Sequence, residues 1–94
     1  MNKYELTVVL SAKLDEDGRN AALEKINGYI TRYEGSEIKC DGWGKKKLAY
    51  DIKGESEAFY YLYTFSGTPA TPNGIESQLR IMEPVLRYLT VKAE

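Results

Sequence analysis

The run Phe59-Tyr60-Tyr61-Leu62-Tyr63-Thr64-Phe65 is apolar or aromatic at nearly every position. A strand with water on one face alternates between polar and apolar residues, so one that does not alternate is packed on both sides. Upstream of it, across a polar turn, lies Gly42-Trp43-Gly44-Lys45-Lys46-Lys47-Leu48-Ala49-Tyr50-Asp51-Ile52. Two β-rich runs joined by a turn read as a hairpin. Any fold for this chain must therefore seat a central strand beside a lysine-bearing one.

The flanking segments supply the remaining elements. Tyr4, Leu6, Val8 and Leu10 alternate with Glu5, Thr7 and Val9, the period of a half-buried strand. A helix is expected from Asp15 to Glu34, with Asp15, Glu16 and Asp17 complementing the positive end of its dipole. Ala22, Leu23, Ile26, Ile30 and Tyr33 give it one apolar stripe, and Gly35 suits the left-handed position that ends it. From Glu37 the period returns to two, and Ile38, Cys40, Leu48, Tyr50 and Ile52 are even-numbered. A single strand with its even face on the core accounts for them. A bulge between Gly42 and Gly44 would reverse the facing of one half. The turn is placed at Lys53 to Glu57. A second helix opens with Thr71 as N-cap and Pro72 at its first position. Its stripe is Ile75, Leu79 and Met82, Pro84 stops it, and Leu86 to Lys92 reads as a last strand.

The element order β-α-β-β-α-β is the α+β, ferredoxin-like arrangement: a four-stranded antiparallel sheet with two helices on one face. The first and third strands are then central, which explains the apolar third strand. The 94 residues make one domain, 1–94.

Thirteen basic and fourteen acidic residues leave a net charge of −1. Phosphate attraction supplies most non-specific nucleic-acid affinity. An RNA role would thus rest on local patches or on a site shared with a more basic partner. Cys40 is the only cysteine, so the chain has no intrachain disulfide or thiolate cluster, and the residue is expected to act as a small buried or half-buried apolar group. No histidine, phosphate-binding glycine loop or nucleophile elbow is present. The chain is expected to be no enzyme and to use no cofactor or metal. It shows no apolar run long enough for a membrane span and no apolar leader, and is expected in the cytosol.

With the helices on one face, the other is expected to show Glu5, Thr7, Val9, Tyr60, Leu62 and Thr64, joined by Trp43, Lys45, Lys47 and Ala49 and by Arg87, Leu89 and Val91. Large apolar groups mixed with cations suit an interface. Lysines on an edge strand also have a plainer use, discouraging edge-to-edge pairing. An RNA-recognition motif would need a basic residue and glycine before its aromatics, but Glu57-Ala58 precede Phe59 here. One reading of this face is a ligand-binding or regulatory module that dimerises through it.

The residues Tyr4-Glu5 with the strand to Leu10, Gly44-x-x-x-Leu48-Ala49-Tyr50-x-Ile52, Phe59 to Phe65, Leu79-Arg80 and Arg87-Tyr88-Leu89-Thr90-Val91-Lys92 together resemble bacterial small-subunit ribosomal protein six. The resemblance spans essentially the whole chain. It implies a non-enzymatic constituent of the small ribosomal subunit, ribosome-bound in the cytoplasm and monomeric when free. Its partners would be the central domain of small-subunit ribosomal RNA and small ribosomal subunit protein eighteen, bound cooperatively, with no membrane and no small-molecule substrate. By position, Lys3, Arg80, Arg87 and Lys92 would meet RNA. Trp43, Lys45, Lys46, Lys47, Ala49, Tyr50, Tyr60 and Leu62 would form the protein-partner interface. Asn2 stands where members of the family often carry a basic residue, and the chain ends at Glu94 without the long tail of some members.

Overall fold

The computed structural model describes residues 2–93; Glu94 lies outside them. The elements run β1 (Asn2–Ser11), α1 (Glu16–Arg32), β2 (Ser36–Ile52), β3 (Glu55–Gly67), α2 (Thr71–Leu79) and β4 (Val85–Ala93). The four strands form one antiparallel sheet in the order β2-β3-β1-β4. The expected ferredoxin-like arrangement is therefore observed, with β1 and β3 central.

Register assigns the faces. Tyr4, Leu6, Val8 and Leu10 stand opposite Phe65, Tyr63, Tyr61 and Phe59. All eight meet Ala22, Ile26 and Ile30 of α1 and Ile75 and Leu79 of α2 in the main core. Leu6, Val8, Leu10, Ile26 and Ile30 are completely buried. Burying such a side chain contributes about 1.5–3 kcal/mol each, so this face holds the helices to the sheet.

The helix ends differ from expectation in their details. Asp15 is the N-cap of α1, not its first residue, and its Oδ1 accepts from Gly18 N at 2.7 Å. At the other end the left-handed residue is Glu34, with φ of 72°, rather than Gly35. Glu34 N donates to Thr31 O at 3.1 Å and Gly35 N to Ile30 O at 2.7 Å, the paired bonds of a Schellman ending. In α2 the N-cap is Ala70, and Thr71 is already helical. Thr71 is buried, and its hydroxyl turns back to accept from Thr68 N at 3.0 Å, closing the loop instead of capping the helix. Met82 packs against the core from beyond the end of α2. The hairpin turn is also tighter than expected. Ile52 pairs with Glu55 across Lys53 and Gly54 alone, whose φ of 50° and 80° match a two-residue turn with both central residues left-handed.

The larger departure lies in β2. Gly42 pairs with Tyr61 but Gly44 with Tyr60, so Trp43 is an extra residue, and Gly44 takes a φ of 81° to accommodate it. Just before this bulge Ile38 and Cys40 face the helices: Cys40 opposes Tyr63, and Ile38 packs on the main core. After it the facing reverses. Leu48 is buried on the helix-free side with Val9, Ala58 and Leu86, and Ile52 and Tyr60 pack against them. The expectation that Leu48, Tyr50 and Ile52 share the helix-side core is thus corrected. A further irregularity, in β4, pairs Val9 with Arg87 but Leu10 with Val85. It leaves the consecutive residues Leu86 and Arg87 on the same helix-free side, Leu86 in the second cluster and Arg87 opposite Val9.

Candidate functional site

On the helix-free face, Thr7 stands between Leu62 and Leu89, Val9 between Tyr60 and Arg87, and Glu5 between Thr64 and Val91. The far end of β2 folds across this surface. Between Lys47 and Ile52 the strand departs from regular pairing, so residues 48–51 stand against Ser56 alone. Leu48 anchors that segment in the second cluster, and Ala49 and Tyr50 reach over the sheet. The result is a groove of about 230 Å³ lined mainly by Val9, Leu48, Ile52, Tyr60 and Leu89, with Tyr50 and Arg87 also on its wall. Arg87 Nη1 donates to Tyr50 Oη at 2.8 Å. Leu89 and Val91 remain exposed, extending the apolar surface along β4.

The lysines divide between the two sides of the edge strand. Lys45 opposes Phe59 and Lys47 opposes Glu57, so both turn to the helix side, contrary to their expected place on the open face. Lys45 Nζ lies 3.9 Å from Glu57 Oε1 and 5.9 Å from the Phe59 ring centre. Lys46 opposes Ala58 on the open side, and its Nζ lies 5.6 Å from the centre of the Trp43 ring. Trp43 is 47% exposed at the bulge. Ala49, Tyr50, Tyr60 and Leu62 are brought to the open face, with Trp43 and Lys46 at its edge.

The four cations expected to meet RNA do not form one cluster. Lys3 and Arg87 both lie on the open face, but Lys3 pairs at the Ala93 end of β1 and Arg87 beside Val9. Six positions of strand separate them, roughly 20 Å at about 3.3 Å per residue. Lys92 opposes Tyr4 and turns to the helix side, while Arg80 is the exposed C-cap of α2.

Cys40 is exposed rather than buried as a residue. Burial of the thiol pushes its pKa above 9.0, against a lowering hydrogen bond with Tyr63 and with a further push from Asp41. Burial, and then Cys40, likewise hold the Tyr63 phenol well above its ordinary range. Among the described residues no cluster of His, Cys, Asp or Glu could hold a metal ion, and no helix is long and apolar enough to cross a membrane.

Sequence reasoning missed the groove itself. Its floor comes from Val9, Leu48 and Ile52, and the last two were placed on the opposite face. The signal was present in the two glycines flanking Trp43.

A four-stranded antiparallel sheet with helices on one face, and an apolar groove with separate cations on the other, makes this an α+β protein of ferredoxin-like fold. Its family follows from comparison: the sequence profile of ribosomal protein S6 matches residues 3–92. Small ribosomal subunit protein bS6 of Clostridium kluyveri is 42% identical over 94 residues, covering 100% of this chain and 99% of that protein. The protein of the same name from Alkaliphilus metalliredigens is 37% identical over the same length, again covering 100% and 99%. The crystal structure of 30S ribosomal protein S6 from Thermotoga maritima shares the fold with a TM-score of 0.92 at 23% identity, covering 98% of this chain and 87% of that one. The chain belongs to the ribosomal protein S6 family.

Proposed function

We propose that this chain, a small-subunit ribosomal protein by family, binds the central domain of small-subunit ribosomal RNA cooperatively with small ribosomal subunit protein eighteen. Its place is on the ribosome, in the cytoplasm, and its role is architectural rather than catalytic. The observation that carries this reading is the full-length family match combined with a helix-free face bearing both an apolar groove and cations. A net charge of −1 suits a shared site, because a partner then supplies the positive charge that phosphate binding needs.

In this reading the protein partner covers the groove side: Trp43, Lys46, Ala49, Tyr50, Tyr60 and Leu62. Lys45 and Lys47 reach that partner around the outer edge of β2. Lys3, Arg80, Arg87 and Lys92 meet RNA at separated points, which favours a folded RNA spanning the protein over a single phosphate track.

The direct experiment measures binding to central-domain RNA with and without protein eighteen over a range of salt. Tighter binding with the partner is expected. Equal, weak and equally salt-sensitive binding in both cases sinks the cooperative reading. Replacing Lys45, Lys46 and Lys47 together by Glu is expected to abolish assembly while the domain stays folded. A stable homodimer by light scattering would instead favour a module that pairs through its open face.

A further inference from the structure

Arg87 borders the groove with no counter-ion. Among the described residues the one ion pair is Lys45–Glu57, and the hydrogen bond of the Arg87 guanidinium goes to a neutral phenol. Arg87 is also the only charged residue on the groove wall; the floor is Val9, Leu48, Ile52, Tyr60 and Leu89. At about 230 Å³ the groove falls below the range of roughly 300–1,000 Å³ that drug-sized ligands occupy. Its size suits one large side chain.

The chemistry selects between a protein and an RNA occupant. Tracking phosphates takes an array of cations, but the other open-face cations named above stand apart from Arg87: Lys3 is six β1 positions away, and Lys46 is on the opposite outer strand, with β3 and β1 between. Ribose and phosphate would gain little from a floor that is aliphatic apart from the Tyr60 ring. A single arginine at the rim of an apolar socket is instead the pattern of a protein interface, where an anchoring side chain fills a pocket and a planar guanidinium takes a carboxylate. The exposed Leu89, continuous with the groove, adds apolar area to the same contact.

We propose that the groove receives a large apolar side chain of the protein partner with a carboxylate beside it, and that Arg87, oriented by Tyr50, pairs with that carboxylate. The inference rests on the protein-partner reading above and moves Arg87 from the RNA side of it to the protein side.

The test is a titration of the isotopically labelled chain, followed by nuclear magnetic resonance, with N-acetyl-L-leucine, its amide and inorganic phosphate. The acid is expected to shift the methyl groups of Val9, Leu48 and Leu89 together with the Arg87 Nε–H. It should bind about three- to five-fold more tightly than the amide, the upper part of the range an exposed ion pair supplies. Arg87→Gln should remove this preference while the methyl shifts persist. Equal binding of acid and amide overturns the proposal, and so does phosphate moving Arg87 as strongly as the acid does. Absence of methyl shifts at high ligand concentration overturns it too. If the acid preference fails while the chain still binds protein eighteen, only this inference falls. If protein eighteen does not bind, the proposed function falls, whatever the groove prefers.

Discussion

The Arg87 guanidinium donates to the Tyr50 hydroxyl at 2.8 Å although their strands are the two outer strands of the sheet, with β3 and β1 between them. In a flat sheet their backbones would lie three strand spacings apart, about 14 Å, near the full reach of the two side chains laid end to end. The contact exists because residues 48–51 leave the regular ladder and cross the helix-free face. Leu48 anchors the crossing, and the hydroxyl contact orients its outer end.

Tyr50→Phe separates these two roles. It removes one hydrogen bond at a site where Tyr50 is 63% exposed. The urea midpoint should therefore report a loss of less than about 1 kcal/mol. The Arg87 Nε–H resonance should broaden or exchange faster with water as the guanidinium loses its orientation. A loss above about 2 kcal/mol would show that the hydroxyl, and not Leu48, holds the crossing segment down.

Leu48→Ala tests the anchor. Leu48 is 8% exposed, packed against Val9, Ala58 and Leu86. Truncating a leucine of this kind costs about 2–5 kcal/mol, and the low end is expected because the segment can settle into the vacated space. Resonances of Val9 and Leu86 should move more than those of Ile26 and Ile30 in the helix-side core. The opposite pattern would return Leu48 to the face that strict alternation assigns it.

That contrast shows what could be read from the sequence. Element order and the helix-side core follow from period alone: Tyr4, Leu6, Val8 and Leu10 alternate, and Ala22, Ile26 and Ile30 recur at helical spacing. β2 resists the same treatment, because one extra residue at Trp43 exchanges the faces of everything after it. The glycines around Trp43 announce a bulge without saying which half is reversed. The facing of Lys45 and Lys47 was misread with that half. The crossing at residues 48–51 has no local signature, since it depends on Val9, Ala58 and Leu86 offering an apolar bed from three other stretches of chain.

Trp43 is the only tryptophan, so its fluorescence reports on the edge of the face directly. It is 47% exposed, and its emission should be that of a partly hydrated indole. Adding protein eighteen is expected to shift the emission to shorter wavelength as water leaves the ring. Lys46→Ala should alter the emission of the free protein by removing the ammonium 5.6 Å from the ring centre, whereas Lys47→Ala should not. An unchanged spectrum on complex formation would place Trp43 outside the interface.

Gly74→Ala probes the contact between the helices. A methyl at this position would overlap the ring of Tyr33, whose hydroxyl accepts from Gln78 Nε2 at 3.1 Å. Moving the ring or the helix should cost about 1–3 kcal/mol in urea unfolding. In a Tyr33→Ala background the same substitution should cost much less, because the obstruction is gone. Additive effects would mean that α2 absorbs the methyl by shifting as a body.

Alkaline pH should weaken the fold through Cys40 and Tyr63. Both groups are held above their ordinary values of 9.0 and 10.0, chiefly by burial. The unfolded chain therefore releases these protons first, and binds fewer than the native state once pH passes about 9. Stability is fully present below that point and falls as pH rises further. Tyr63 reinforces the direction, since its hydroxyl donates to Leu23 O at 3.1 Å and ionisation would remove the donor. The urea midpoint should be level between pH 7 and 8 and fall steadily from pH 9 to 10.5. Cys40→Ala should delay the onset of the fall by removing the group with the lower ordinary value. A midpoint independent of pH over this range, or one that rises, would mean that neither group is desolvated as its place opposite the other implies.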